Sequence, residues 1–351
     1  MPANTRKVAV FRALQLGDML CAVPALKALR AAEPDAHITL VGLPWARDFA
    51  ARYCGLIDDF MAFPGAPGMP EQGADAQALD RFLADARTRR FDLAIQLHGS
   101  GAITNPLVRQ LGAQRVAGFC DGSDGAQPTA PGEFWIAWPD GNEIERLLAL
   151  MHALGYPHAD THLSFPLHPD DLRDWRKLAD AHGLEPGSYV CVHPGARMLS
   201  RRWPVERFAE VAQRLGNPWR IVVTGAPDER DLADRLCTLT AVPVVNLCGQ
   251  TSLGAMAALI AHARLLVCND TGASHIAAAM DTPSVVVSCG SDSERWAPLD
   301  RTLHHVLADY PPCRPCAWQA CPYGHECAMH IDVDSVAAAA RRLADRETVY
   351  V

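Results

Sequence analysis

The stretch Leu265-Leu266-Val267-Cys268-Asn269-Asp270-Thr271-Gly272-Ala273-Ser274-His275, running on into a helical pattern from Ile276 to Met280, decides how the rest of the chain is read. Its apolar start has the length of a strand, its middle is a Gly-containing turn, and its end opens a helix. A strand that passes through a short polar turn into a helix is the βα unit of a parallel sheet, so the expected fold class is α/β. The same alternation recurs along the chain. Strands are expected at 7–14, 37–43, 57–63, 91–97 and 115–119, with helices between them such as 19–31 and 75–89; a second series follows at 189–193, 220–224, 243–247, 265–268 and 284–288. Between the series, residues 156–170 carry Pro157, Pro166, Pro169, His158, His162 and His168 without periodicity and read as a linker, flanked by helices near 143–154 and 171–182. At roughly 100–200 residues per domain, 351 residues fit two doubly wound domains, 1–160 and 170–351. The second includes a Cys-rich loop at 311–330 and an Ala-rich closing helix at 333–344, with Asp334 or Ser335 as its N-cap. Two such domains leave a central cleft between the carboxyl ends of their strands, so functional residues are sought just after strands.

Composition excludes several classes. No run approaches the ~18 uninterrupted apolar residues of a membrane span. The start, Met1-Pro2-Ala3-Asn4-Thr5-Arg6-Lys7, leads straight into a strand pattern without a cleavage signal. The chain therefore reads as cytoplasmic. A formal charge of -8 argues against a general nucleic-acid binder, and residues 1–165 hold no basic excess to attract an anionic membrane, so any contact at the membrane face must be local. Eight of the twelve cysteines are scattered through apolar segments, as reduced packing residues would be.

Three post-strand loops carry chemistry. The first is Arg12-Ala13-Leu14-Gln15-Leu16-Gly17-Asp18. Only Gly17 of a Gly-x-Gly-x-x-Gly pattern is present, which disfavours a nicotinamide or flavin site. Asp18 stands where it can cap the following helix or accept a proton from a substrate hydroxyl. The second is His193-Pro194-Gly195-Ala196-Arg197 through Ser200-Arg201-Arg202-Trp203-Pro204, where three arginines offer fixed charge for phosphate oxygens and Pro204 suits the first position of a helix. The third is the opening stretch itself. Its helix N-terminus presents unpaired N–H groups to an anion, and His275, four residues after Thr271, lies on the same helical face. Glu229, in Gly225-Ala226-Pro227-Asp228-Glu229, either accepts from ribose hydroxyls or favours the first turn of its own helix. There is no Gly-x4-Gly-Lys-[Ser/Thr] loop and no serine-hydrolase elbow.

Taken in order, these segments resemble the family-nine glycosyltransferases, the bacterial heptosyltransferases of the lipopolysaccharide inner core. The resemblance rests on Leu16-Gly17-Asp18 followed by Pro24-Ala25-Leu26, on His193 to Ala196 with Arg201 to Pro204, on Gly225 to Glu229, and on Asp270 to His275. It implies a GT-B fold: two Rossmann-like domains with the acceptor held by the first and the sugar nucleotide by the second. It also implies an inverting transfer of L-glycero-D-manno-heptose from ADP-heptose, with no cofactor required for catalysis. Carried over by position, Asp18 matches the catalytic base, with Gly17 beside it. Arg12 stands where a Lys often meets acidic acceptor groups, and Arg201 where a Lys neutralises the diphosphate. Glu229 matches a ribose-binding Glu, and Asp270, Thr271, Gly272 and His275 match the loop that holds the diphosphate. Ala196 replaces a hydroxyl residue of some members. The expected partners are ADP-heptose or another nucleotide sugar and a glycolipid acceptor at the cytoplasmic face of the inner membrane.

On the acceptor side, Arg109, Arg115, His98 and Gly99 lie near strand ends and either meet sugar or phosphate or are simply solvated. The remaining cysteines, Cys313, Cys316, Cys321 and Cys327, crowd a Pro-rich loop with His325 and His330 nearby. Four thiolates so close suit a structural zinc or iron site; reduced, packed cysteines are the alternative. Other readings keep the fold but send the sugar to a protein or another glycan, or make the chain a nucleotide-sugar epimerase or a non-catalytic interaction protein.

Overall fold

A computed structural model describes residues 5–122, 129–157 and 160–346. His158 of the expected linker and the middle of the Gly-rich 121–132 loop lie outside these described residues. The chain divides into two compact units, Met1–His162 and Leu163–Val351.

The first unit holds a six-stranded sheet of β1 (Lys7–Phe11), β2 (His37–Gly42), β3 (Asp59–Ala62), β4 (Leu93–Gln96), β5 (Arg115–Cys120) and β6 (Glu133–Ala137), in the order β3-β2-β1-β4-β5-β6. The second holds β7 (Tyr189–His193), β8 (Arg220–Val223), β9 (Val244–Asn246), β10 (Leu265–Asn269), β11 (Ser284–Ser288) and β12 (His304–Ala308), in the order β12-β11-β10-β7-β8-β9. All neighbouring strands pair parallel. Renumbered within its own unit, each sheet runs 3-2-1-4-5-6, the doubly wound Rossmann order, so the fold class is α/β with two Rossmann-like units. The strand order reverses between β1 and β4 in the first unit and between β7 and β10 in the second, and those switch points are where open α/β sheets bind ligands.

Central strands are buried along their whole length, as in Tyr189–His193 and Leu265–Asn269, because helices cover both faces of a parallel sheet. Val190, Val192, Trp203, Phe208, Leu215, Val267 and Val285 centre the second core, and Phe11, Phe63, Phe82, Phe91 and Val108 the first. The closing helix Val333–Ala344 turns Val336, Ala337, Ala339, Ala340 and Leu343 inward. Its alanines let it lie close against the helix Val205–Leu215, which buries Phe208, Ala209, Val211, Ala212 and Leu215. Among the described residues, no helix is long and apolar enough to cross a membrane.

The structure departs from the sequence reading in specific places. Strands β6 and β12 were not expected. Both lie at sheet edges, where partial exposure admits Glu133 and His305, while the buried His304 is satisfied by a 2.8 Å hydrogen bond with Ser284; these polar residues blur the strand pattern. The helix expected at 19–31 is two helices, Leu16–Cys21 and Val23–Ala32, because Pro24 lacks the N–H that would continue the first. Asp18 therefore sits in the first turn of the first helix, whose N-cap is Gln15. Pro204 is the N-cap of its helix rather than its first residue, and the closing helix is capped by Asp332, which accepts from Ser335, instead of by Asp334 or Ser335.

Candidate functional site

In the first unit, register places Phe11 beside Gln96, so the loops after β1 and β4 start side by side. Arg12 follows β1 directly and is fully buried. Its Nε donates to the carbonyl of Asp18 at 2.9 Å, its Nη1 to the carbonyl of Leu97, and its Nη2 to Glu143 Oε1 at 3.1 Å. Glu143 is itself fully buried, with Arg146 3.8 Å away on its other oxygen. These bonds make Arg12 an internal strut that ties the Asp18 turn to the β4 exit. Gly17 and Asp18 are half-buried in the helix Leu16–Cys21.

His98, just after β4, accepts from the Ala13 N–H through Nδ1 at 3.2 Å. Burial, reinforced by the Arg12 charge and opposed by Glu143, lowers its pKa to about 3, so the ring is neutral at physiological pH. Arg109 closes the helix Thr104–Arg109 rather than a strand, and its side chain, 35% exposed, is ion-paired rather than simply solvated. Its Nε and Nη2 pair with Glu133 at 2.6 and 3.1 Å, and its guanidinium stacks over Trp135. Arg115 begins β5 at an exposed position, and Gly99 is half-buried beside the Gln96 side chain, which donates to its carbonyl at 3.2 Å.

In the second unit, Cys268 lies opposite His193, which aligns the exits of β10 and β7. Asn269 locks them together. Fully buried, it donates through Nδ2 to the carbonyl of Pro194 at 2.7 Å and accepts through Oδ1 from Trp203 N–H at 2.9 Å. The Arg197–Arg202 segment is held between those two anchors. Arg201 is half-buried and donates to the carbonyls of Cys316 at 2.6 Å and Cys289 at 3.5 Å. Burial lowers its pKa, with Cys316 and Asp270 opposing, and the guanidinium stays protonated, a half-buried cation whose hydrogen bonds go to main-chain carbonyls.

Thr271 is the N-cap of the helix Gly272–Ala279, yet its side chain makes no capping bond. Its hydroxyl oxygen is buried and has no hydrogen-bond partner among the described residues. A buried polar atom left unmatched at a helix N-terminus is where an anion or a hydroxyl-bearing ligand would be satisfied. Gly272 opens that helix and His275 is buried in its first turn. Asp270 accepts from the Ser291 hydroxyl. Glu229 closes its own turn, the local one of its two readings. Its Oε2 accepts from Ala226 N–H at 2.9 Å within its own turn, while the carboxylate lies so close to Gly195 that a Cβ there would stand 2.0 Å from Oε1. Arg202 and His193 each approach it at 3.9 Å. Burial lowers the His193 pKa, with Glu229 opposing.

The structure thus groups Arg201, Asp270, Thr271, Gly272, His275 and Glu229 on the exits of three second-unit strands, β7, β8 and β10, and Arg12, Gly17 and Asp18 after β1. Sequence reading did not single out Asn269, Glu143, Ser288, Ser291 or Arg314. Asn269 alone carried a signal, as a polar residue closing an otherwise apolar strand. The Cys loop does not meet the expectation of a structural zinc or iron. Cys313, Cys316, Cys321 and Cys327 line one small cavity, but among the described residues no three His, Cys, Asp or Glu side chains gather as a metal ion requires. Cys327 is packed into the second core while Cys313 stands at the surface, so the thiols are spread from core to solvent.

The family model of glycosyltransferase family 9 (heptosyltransferase) matches residues 80–326. Lipopolysaccharide heptosyltransferase 1 of Pseudomonas aeruginosa is 28% identical over 245 residues, 68% of this chain and 65% of that protein, so the match spans just under two thirds of that relative's length. The solved structure of a family 9 glycosyl transferase from Veillonella parvula superposes with a TM-score of 0.80 at 21% identity, covering 98% of each chain. That of the E. coli ADP-heptose lipopolysaccharide heptosyltransferase II gives 0.70 at 18% identity, covering 97% of this chain and 98% of that one.

Proposed function

The chain belongs to glycosyltransferase family 9, and from that premise we propose that it is an inverting transferase moving heptose from ADP-L-glycero-D-manno-heptose to a hydroxyl of a lipopolysaccharide inner-core acceptor. The observation that carries this reading is the buried, unmatched Thr271 hydroxyl at the start of the Gly272–Ala279 helix, on the same switch point as Arg201, whose guanidinium donates to main-chain carbonyls. Both are what an incoming diphosphate would satisfy. In this reading the Thr271 hydroxyl and the helix N–H groups bind diphosphate oxygens, Arg201 balances their charge, and His275 adds a donor from the same turn. Glu229 Oε1, left over after Oε2 closes its own turn, accepts from the ribose.

Asp18 is the general base. An acceptor hydroxyl is a weak nucleophile until its proton is removed, and Asp18 takes that proton as the oxygen attacks the anomeric carbon opposite the diphosphate. The glycosidic bond forms as the bond to the diphosphate breaks, and one displacement inverts the configuration. The charge left on ADP is met by Arg201, the helix terminus and His275, so this chemistry calls for no metal. The acceptor is a glycolipid presented at the cytoplasmic face of the membrane, where the chain acts peripherally.

The test pairs calorimetry with ADP and turnover with ADP-heptose and a defined core acceptor. ADP should bind saturably, and Asp18→Asn should lose about 10²–10⁴-fold in turnover with little change in ADP affinity. Absence of ADP binding by the wild-type chain, or wild-type turnover in the Asp18 variant, refutes the reading.

A further inference from the structure

The Cys-rich loop makes an unusual number of bonds to the two segments that form the donor site. Arg314 lies between Cys313 and Pro315 and is only 8% exposed. Its Nε donates to the Ser291 carbonyl at 2.7 Å, its Nη2 to the Ser288 hydroxyl at 2.8 Å, and its Nη1 to the Asp309 carbonyl. Its guanidinium also covers the Tyr310 ring at 4.2 Å. The hydroxyls of Ser288 and Ser291 are 2.9 Å apart, and Ser291 donates onward to Asp270.

The direction of this chain of bonds is fixed chemically. A guanidinium only donates and a carboxylate only accepts. Ser288 must therefore receive from Arg314 and pass its single proton to Ser291, which passes its own to Asp270. Ser291 spends its one proton on Asp270 and so must accept from Ser288; the Asp270 carboxylate sets the order, and Arg314 donates to its far end.

The same loop grips the arginine segment. The Cys316 carbonyl accepts from Arg201, and Cys316 N–H donates to the Gly290 carbonyl at 2.9 Å. Ser200 donates its hydroxyl to the Trp318 carbonyl and its N–H to the Gln319 carbonyl at 3.2 Å, while His325 Nε2 bonds the Ser200 carbonyl at 3.0 Å. Gly290 sits between the two grips at φ +67°, where a Cβ would stand 3.1 Å from both Cys316 Sγ and the Ser200 carbonyl.

We propose that the Cys-rich loop is a clasp on the donor site, in which Arg314 is a positioning residue that orders Asp270 through Ser288 and Ser291 while the Cys316 carbonyl fixes Arg201. The inference rests on the reading that Arg201 and the 270–275 loop hold the donor diphosphate, and it assigns the loop a purpose that needs no bound metal.

A double-mutant cycle on the full-length chain tests it, with ADP as the probe and calorimetry as the readout. Arg314→Met should weaken ADP about ten-fold or more, and Ser291→Ala about three-fold or more. Because both act through one relay, Ser291→Ala/Arg314→Met should bind ADP no more than about two-fold worse than Arg314→Met alone. Independent structural damage would instead multiply the two losses. ADP affinities near wild type in both single variants, or multiplied losses in the double, overturn the clasp. Should Arg314→Met not fold, Ser288→Ala and Ser291→Ala form the cycle, with each single variant weaker for ADP and the pair no weaker than either. Multiplied or wild-type values there overturn the clasp equally. A wild-type chain that does not bind ADP refutes the donor-site reading itself, a result distinct from wild-type binding that the variants leave untouched.

Discussion

Replacing Arg12 with Met keeps much of the side chain's length and removes its charge, which isolates what the buried strut contributes. Arg12 and Glu143 are both fully buried and lie 3.1 Å apart. Deleting one member of such a pair costs about 3–5 kcal/mol, mostly because the other charge is left desolvated without compensation. Arg146, 3.8 Å from the second Glu143 oxygen, keeps part of that compensation and pulls the cost toward the lower end, about 3 kcal/mol. At about 2–4 °C per kcal/mol for a unit of this size, the melting transition of the first unit should fall by about 6–12 °C. Differential scanning calorimetry reads the shift directly. Arg12 Nε also holds the Asp18 carbonyl, so the variant, assayed at a temperature where it remains folded, should lose turnover while keeping its ADP affinity. Arg12→Lys, able to reach one or two of the three partners, should fall between. A melting temperature within about 1 °C of wild type, together with normal turnover, would show that the strut neither stabilises the unit nor places Asp18.

The buried His98 makes stability depend on pH. Its pKa is lowered to about 3 in the folded chain, against an ordinary 6.5, so on acidification the unfolded state binds a proton that the folded state refuses. Stability present above pH 6.5 is therefore lost as pH falls toward about 3, and His98→Gln should reduce the difference between urea midpoints at pH 7 and pH 5. His304, lowered to about 4 by burial, supplies a second such loss that should persist in the variant; an unchanged overall difference refutes the assignment to His98. Gly290→Ala forces a side chain into a left-handed conformation and against Cys316 and Ser200, which should cost about 1–3 kcal/mol by urea unfolding; a neutral effect would contradict the close packing. Thr271→Val should leave the ligand-free chain as stable or slightly more stable, because an unmatched buried hydroxyl is removed, while weakening ADP binding several-fold. A destabilised variant with unchanged ADP affinity would mean that the hydroxyl serves the fold instead.

Much of the architecture could be read from the chain because central parallel strands are continuous apolar runs, and their pattern survives without knowledge of neighbours. Leu265–Asn269 and Tyr189–His193 are of this kind. What escaped was set by position in the sheet or by distant pairing. The edge strands β6 and β12 begin with polar residues, Glu133 and the His304-His305 pair, that interrupt the apolar run by which central strands are recognised. The candidate donor loops could be located because post-strand segments of open sheets converge at the switch point whatever their sequence. Their supports could not. Arg314 lies 44 residues from Asp270, with Ser288 and Ser291 between them, and no local pattern announces that these four side chains meet.

The arginines show why residue type at a strand end is a weaker guide than the balance of donors and partners. Arg12 directly follows β1, Arg201 lies in the segment after β7 and Arg109 ends the helix Thr104–Arg109, and each has the charge that a phosphate or carboxylate group seeks. Arg12 is fully buried, and each of its three nitrogens bonds to a carbonyl or to the buried Glu143 carboxylate, which balances its charge in place. Arg109 is held on both oxygens of Glu133 and stacked on Trp135, which neutralises it in place. Arg201 is different. Its bonds go to main-chain carbonyls, which orient the guanidinium without cancelling its charge. Neutral acceptors leave a cation that is oriented but still charged. Among these three arginines only Arg201 meets that condition, and it lies on the switch point where Thr271 offers an unmatched hydroxyl.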